Sequence, residues 1–295
     1  MSAAVFEIAG HAIPPGERGI VDIPVSVLSD HTPMALSAQV VHGRREGPCA
    51  FVSGAIHGDE IIGVEIIRRL LRTPQLKSLR GTLICVPIVN TFGFINHSRY
   101  LPDRRDLNRS FPGASTGSLA ARLVIVQSKL RDGSLRMAAR EMGKDVLVYE
   151  AGEALRFDEQ AIRIGVKGIL RVLHELGMVT SEKGLTSKIR PVVSKRSAWE
   201  RAPMGGVLRA YKAAGEQVEK GEIIAVIADP LGEREEAVQA AHAGLIIGRT
   251  MLPIVNEGDA LFHIAEISRS LKVDPLVRMG EETEGDPLFD EDEIL

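Results

Sequence analysis

A short apolar run that leads directly into His57 and Glu60 restricts this chain more than any other feature. Cys49-Ala-Phe-Val-Ser-Gly-Ala55 has the composition of a strand buried on both faces. His57-Gly-Asp-Glu60 follows at once, and a helical pattern begins immediately after it. Ile62, Ile66 and Leu70 fall on one stripe flanked by Ile67 and Leu71, with Glu65, Arg68 and Arg69 opposite. A strand end of this kind presents the imidazole at the sheet edge, and the first helical turn brings a carboxylate back beside it. Histidine and glutamate so placed can share one cation, and both are ordinary zinc ligands. A carboxylate there also interacts favourably with the helix dipole. Taken alone, the H-x-x-E spacing describes a capped helix start with a polar surface histidine equally well.

The remaining elements define an α/β chain with an appended β module. Residues 1–48 alternate polar and apolar positions (Val21, Ile23, Val25; Ala38, Val40), predicting antiparallel strands that pack on the core. Thr82-Leu-Ile-Cys-Val-Pro-Ile-Val89 reads as a second buried strand, with Pro87 marking an edge or bend near its end. Val146-Leu-Val-Tyr149 reads as a third. A helix is expected from about Asp158 to Leu176, stopped by Gly177. Ser118–Leu123 is helix-like. This α/β region is expected to span residues 49–185. From 186 to 270 the pattern changes to short, glycine-punctuated strands, such as Ala243-Gly-Leu-Ile-Ile-Gly248, predicting a separate all-β module.

Two further features carry chemistry. The stretch from Asn96 to Gly113 has no helix or strand period and holds Arg99, Arg104, Arg105 and Arg109. Clustered guanidinium groups suit bidentate recognition of carboxylates, and long ordered loops are usually functional. The plainer reading is a solvated loop stitched by pairs such as Arg104 with Asp103 or Asp106. Glu150 projects from the end of the predicted third strand, where a carboxylate can serve as a general base. A salt-bridged structural carboxylate is the alternative, with Glu153 close by.

His57-Gly-Asp-Glu60, the Arg99-Tyr-Leu stretch, Asp106-Leu-Asn-Arg109 and Tyr149-Glu-Ala-Gly-Glu153 occur in an order that resembles the succinylglutamate desuccinylase/aspartoacylase family, zinc carboxypeptidase-like amide hydrolases. The resemblance covers roughly residues 45–180. It implies a mixed sheet flanked by helices, followed by a C-terminal module similar to a barrel sandwich. It implies one zinc per chain, with His57 and Glu60 as ligands. It implies Asn108 and Arg109 as holders of a substrate carboxylate, Glu150 as base and proton shuttle, and Arg99 as stabiliser of the tetrahedral oxyanion. The expected substrate is an N-acyl amino acid or similar small carboxylate, cleaved at its amide bond.

One element of that pattern is missing. A catalytic zinc site of this kind takes three protein ligands, commonly two histidines and a glutamate. The family's second histidine lies between the Asn-Arg motif and the catalytic glutamate, but no histidine occurs between Arg109 and Glu150. Ser118–Leu123 instead runs straight into Val124, as if a block of several dozen residues had been removed. His97 is the nearest substitute by position, and Asp106 has no spacing argument in its favour. The competing expectations are a working deacylase, a catalytically impaired relative that binds a ligand or partner, and an internally deleted version of an active enzyme.

Composition excludes other classes. The basic residues are scattered and aromatic residues make up 4% of the chain, which argues against nucleic acid. No apolar run approaches the roughly 18 residues a membrane span needs, and the first residues carry no signal-peptide pattern. Cys49 and Cys85 both sit in apolar stretches and are expected to be packing residues in a reducing cytoplasm. Segment 281–295 holds eight acidic residues and no basic one, so residues 271–295 read as an acidic tail. The β module resembles a biotinyl/lipoyl-type barrel, whose carrier lysine sits on a hairpin tip, but the corresponding turn near Asp229–Glu236 has no lysine, so a covalent carrier role is not expected. Packing, homo-oligomerisation or substrate gating is the expected use of that module.

Overall fold

The computed structural model describes residues 2–27, 31–102, 104–109, 119–120, 124–126, 133–180, 192–194 and 196–267. The acidic tail lies outside them. The chain divides into two units, one comprising Met1–Leu123 and Ser128–Pro191, the other Val124–Gln127 and Val192–Leu295.

In the first unit a short hairpin, β1 (Phe6–Ile8) and β2 (His11–Ile13), precedes two long strands, β3 (Arg18–Val27) and β4 (Pro33–His42). With β5 (Arg45–Ser53) and β6 (Arg80–Val86) these long strands form a mixed sheet in the order β3-β4-β6-β5. β4 runs antiparallel to both β3 and β6, whereas β5 and β6 are parallel. The alternating N-terminal segment is therefore part of the central sheet. β6 ends at Val86, immediately before Pro87, whose missing N–H cannot extend a ladder.

Helix α1 (Ile62–Leu70) connects β5 to β6. Its predicted stripe is the buried one: Ile62, Ile66, Ile67 and Leu70 all face the interior. Each such side chain stabilises the fold by roughly 1.5–3 kcal/mol relative to exposure. α2 (Thr91–Ile95) follows β6, then a 3-10 turn at Leu107–Arg109 and a two-residue strand, β7 (Leu119–Ala120). Most of the helix-like Ser118–Leu123 falls outside the described residues, and the part within them is this strand. β8 (Val124–Val126) belongs to the second unit. Two more helices complete the first unit, α3 (Leu135–Glu141) and α4 (Glu159–Glu175). Asp158 caps α4 by accepting the Ala161 N–H at 2.9 Å, and Gly177 follows with φ +68°, as the sequence predicts. α4 lies against α1, where the absent side chain of Gly165 makes room for Ile66.

Two sequence expectations are corrected here. None of residues 146–149 is in a strand, and Leu147 is 70% exposed. An apolar segment becomes a strand only if a neighbour takes up its backbone groups. β5, the terminal strand of the sheet, has β6 as its only ladder partner among the described residues. For the same reason Cys49 is exposed and Phe51 is 56% exposed, although both sit in an apolar run. Cys85, on β6, is buried as expected, and burial pushes its thiol up to about 12.

The second unit is all-β. β8 pairs in parallel with β9 (Val192–Ser194). The remaining strands are β10 (Ser197–Arg201), β11 (Gly206–Ala210), β12 (Gln217–Val218), β13 (Ile223–Ala228), β14 (Glu235–Gln239), β15 (Gly244–Arg249), β16 (Ile254–Val255) and β17 (Ala260–Glu266). They form two antiparallel sheets, β10-β17-β15-β12 and β14-β13-β11-β16. Leu208, Ile224, Ile227, Val238, Ile246, Leu261, Phe262 and Ile264 fill their shared core. Among the described residues no helix is long and apolar enough to cross a membrane.

The α1–α4 packing is reinforced by Arg69, which donates to Glu65 at 2.7 Å on its own helix and to both oxygens of Glu159 on α4. The guanidinium groups of Arg68 and Arg69 hold the Glu65 carboxyl below its ordinary value, and those of Arg69 and Arg163 do the same for Glu159. Both carboxylates have lowered folded-state pKa values, so the unfolded chain binds more protons in acid. Their stabilisation is present above the ordinary value of 4.5 and is lost as pH falls through the folded values. Arg69→Met should lower stability at neutral pH by about 1–3 kcal/mol and flatten the acid limb of the stability curve. Urea melts of both proteins between pH 3 and 7 measure this.

Candidate active site

The site starts where β5 ends. Gly54 donates its N–H to Val86 O at 2.9 Å, keeping the chain on β6, and Ala55 then turns with φ +45°. A non-glycine residue in the left-handed region costs on the order of 1 kcal/mol. Asn90 N–H, donating to Ala55 O at 2.9 Å, helps to hold that turn. His57 follows, buried beside the sheet end at 5% exposure. α1 begins only at Ile62, so Glu60 stands in the turn before the helix and not in its first turn, and its N–H bonds His57 O at 3.1 Å. Gly58 is required by close approach: a Cβ there would overlap the backbone of Gly93 and Phe94 in α2.

Four side chains close a ring. His57 Nδ1 meets Glu60 Oε1 at 2.6 Å and His57 Nε2 meets Asp106 Oδ1 at 3.0 Å. Arg99 donates Nη1 to Glu60 Oε1 at 3.2 Å, and Nε and Nη2 to Asp106 Oδ2 at 3.3 and 3.1 Å. Each carboxylate thus touches both the imidazole and the guanidinium. Burial alone would favour neutral His57, but the Glu60 hydrogen bond and the charges of Glu60 and Asp106 outweigh burial and Arg99, raising its pKa. Burial pushes Asp106 upward, yet the charges of His57 and Arg99 and the Asn108 N–H bring it below its ordinary value.

The loop from residue 96 to 109 is held by its own backbone. Asn90, almost fully buried, caps α2 by accepting Gly93 N–H at 2.8 Å, and its amide donates to Arg99 O at 3.2 Å. Leu101 N–H bonds Arg105 O at 2.9 Å. Asn108 donates its N–H to Asp106 Oδ1 at 2.8 Å and accepts Leu135 N–H on its side-chain oxygen at 3.3 Å. Asp106 therefore pairs with Arg99 and His57, in place of the Arg104 pairing that the sequence suggests. Arg109 ends the 3-10 turn, and its side chain lies outside the description. Glu150 is exposed, just after Tyr149, whose hydroxyl donates to Ala161 O on α4 at 2.9 Å.

The structure brings His57, Glu60 and Arg99 together, with Asn108 joined to them through Asp106. Asn90 is a contributor that sequence reasoning did not single out, and Asp106, weighed there without a spacing argument, bonds both His57 and Arg99. His97 is exposed, with φ +51°. His42 is buried against Thr82 and Ala4 O, and His263 bonds Ser197. No group of three metal-ligating side chains forms among the described residues.

A mixed sheet thus delivers a histidine–glutamate pair at the end of a parallel strand, followed by an arginine loop. Residues 46–123 match the model of the succinylglutamate desuccinylase/aspartoacylase catalytic domain, and this part of the chain is similar to that family. A curated relative is the N-alpha-acetyl-L-2,4-diaminobutyric acid deacetylase of Halomonas elongata, 23% identical over 317 positions that cover 86% of this chain and 93% of the deacetylase. That alignment is longer than the chain's own 295 residues, so dozens of positions in the deacetylase have no counterpart here. Among solved structures, a succinylglutamate desuccinylase from Silicibacter sp. superposes with a TM-score of 0.72 at 21% identity, covering 85% of this chain and 95% of that one. The product-bound ectoine utilization protein EutE (DoeB) from Ruegeria pomeroyi gives 0.70 at 21% identity, with coverage of 85% and 95%. These likenesses show the fold. The family match includes the first three motifs and stops at Leu123, before Glu150.

Asp106→Ala removes the partner of a buried ring nitrogen and half the anchorage of Arg99. It should cost about 1–3 kcal/mol in chemical denaturation, and Asp106→Asn should cost less, because it retains an acceptor for the Asn108 N–H.

Proposed function

We propose that this chain is a deacylase for small N-acylated amino acids, with a zinc ion held by His57 and Glu60. The observation that carries this reading is the convergence of His57 Nδ1 and Glu60 Oε1, while Asp106 accepts at the far ring nitrogen. Ligating histidines generally give their second nitrogen to such a carboxylate, which fixes tautomer and ring orientation. Next to them, Asp59 Oδ1 is buried without a hydrogen-bond partner, the kind of atom that an ion or water satisfies. Two donors suited to zinc are therefore present, and the second histidine, which would be the third ligand, is absent from the sequence between Arg109 and Glu150. When bound, the ion supplies Lewis-acid polarisation and lowers the pKa of a water to about 7.

The chain's own residues do the rest. Asn108 and Arg109 hold the substrate carboxylate, fixing the amide over the His57–Glu60 pair. Arg99 stabilises the charge that develops on the carbonyl oxygen. Glu150 takes a proton from water and returns it to the leaving amine. The names of the relatives supply the substrate class: an acyl group on the nitrogen of a small amino acid or diamino acid. Two free thiols and no disulfide among the described residues suit a reducing cytoplasm.

The test is amine release from N-alpha-acetyl-L-2,4-diaminobutyrate, N-acetylaspartate and N-succinylglutamate, with and without added zinc. Zinc-dependent turnover of at least one is expected. His57→Ala should abolish it, and Glu150→Gln should lower kcat by about 10²–10⁴. A second reading, favoured by the absent histidine and the exposed Glu150, is a ligand-binding relative without turnover. It predicts calorimetric binding of one of these compounds, lost in Asn108→Ala, with no amine released.

A further inference from the structure

We infer that Arg99 is a built-in competitor for the metal, occupying with its own charge the carboxylate oxygen that the ion must use. This rests on the zinc reading above but goes beyond it, because it assigns Arg99 a role when no ion is bound. Glu60 Oε1 is the atom that faces His57 Nδ1 at 2.6 Å, and the same oxygen accepts Arg99 Nη1 at 3.2 Å. An ion placed between imidazole and carboxylate must therefore take Glu60 Oε1 from two hydrogen-bond donors. Arg99 is also not free to leave. Its Nε and Nη2 remain tied to Asp106 Oδ2, and Asn90 holds its backbone carbonyl. Loading thus breaks one contact of the guanidinium and leaves its positive charge beside the ion.

Two consequences follow. The site binds a divalent ion more weakly than its ligands alone would, because like charge stays close and a charge-assisted hydrogen bond is lost. Arg99 Nη1, committed to Glu60 in the empty site, also becomes available to an oxygen of the substrate once Glu60 turns to the ion. One residue then serves as counter-cation in the empty site and as anion donor in the loaded one.

Metal affinity tests this without reference to activity. Cobalt(II) added to the metal-free full chain is followed by its visible absorption, and zinc affinity is read by competition with a chromophoric chelator. Arg99→Met should bind both ions about tenfold more tightly than the unmodified chain, or better, with Arg99→Lys in between. Arg99→Gln gives a second neutral variant, with circular dichroism confirming the fold of each. Equal or weaker binding by the neutral variants overturns the proposal and leaves the zinc reading standing. If neither the unmodified chain nor a folded neutral variant binds either ion, the zinc reading itself falls and the competitor role falls with it.

Discussion

An imidazole buried to 5% exposure, with a carboxylate on each ring nitrogen, ties together parts of the chain that local sequence keeps apart. Glu60 is local to His57, but Asp106 arrives from 49 residues further on. That contact fastens the arginine loop to the β5–α1 junction, and Arg99 closes the circuit by bonding both carboxylates. The supporting structure is arranged around it. Gly58 lets α2 come close, Asn90 anchors the loop through Arg99 O, and Ala55 accepts a strained φ so that His57 can turn in at the strand end. Strain of this kind persists only where neighbours over-determine it.

β5 presents a second constraint, and here the sequence and its surroundings disagree. Its Cys-Ala-Phe-Val core has the composition of a parallel strand covered on both faces, and parallel sheets are normally buried in that way. Among the described residues β5 is the terminal strand of its sheet, with Cys49 and Phe51 exposed. From Cys49 to Ser53 it carries no charged residue of the sort that usually protects an edge. Val146–Tyr149 tells the same story from the other side: an apolar segment of strand composition, with Leu147 in solvent. Dozens of the deacetylase's positions have no counterpart here, and the family match ends at Leu123.

Much of this was legible in the residues. Helical period identified the α1 stripe, Asp158 and Gly177 marked the ends of α4, and glycine spacing separated the β module. These signals work because each rests on neighbours a few positions away. The H-x-x-E pair was legible because a strand end and the next turn fix its geometry. Asp106 was not, since nothing in its spacing announces a partner 49 residues back. The strand expected at 146–149 was misread for a related reason: apolar composition describes what a segment could pair with, and pairing depends on whether the neighbour exists.

The hydrogen bonding of the ring explains how this part of the fold holds together by its own side chains. In many metal sites the donors repel one another when empty, so folding and metal binding are coupled. Here Glu60 and Asp106 are each bonded to Arg99 and to His57, so each carboxylate has two partners in the empty site. The Arg99 guanidinium lies against both carboxylates and offsets their charge. The arrangement that poises His57 and Glu60 for an ion is therefore stable without one. Ancestry and activity can part company at such a site, because the interactions that preserve the geometry are not the ones that hold the metal.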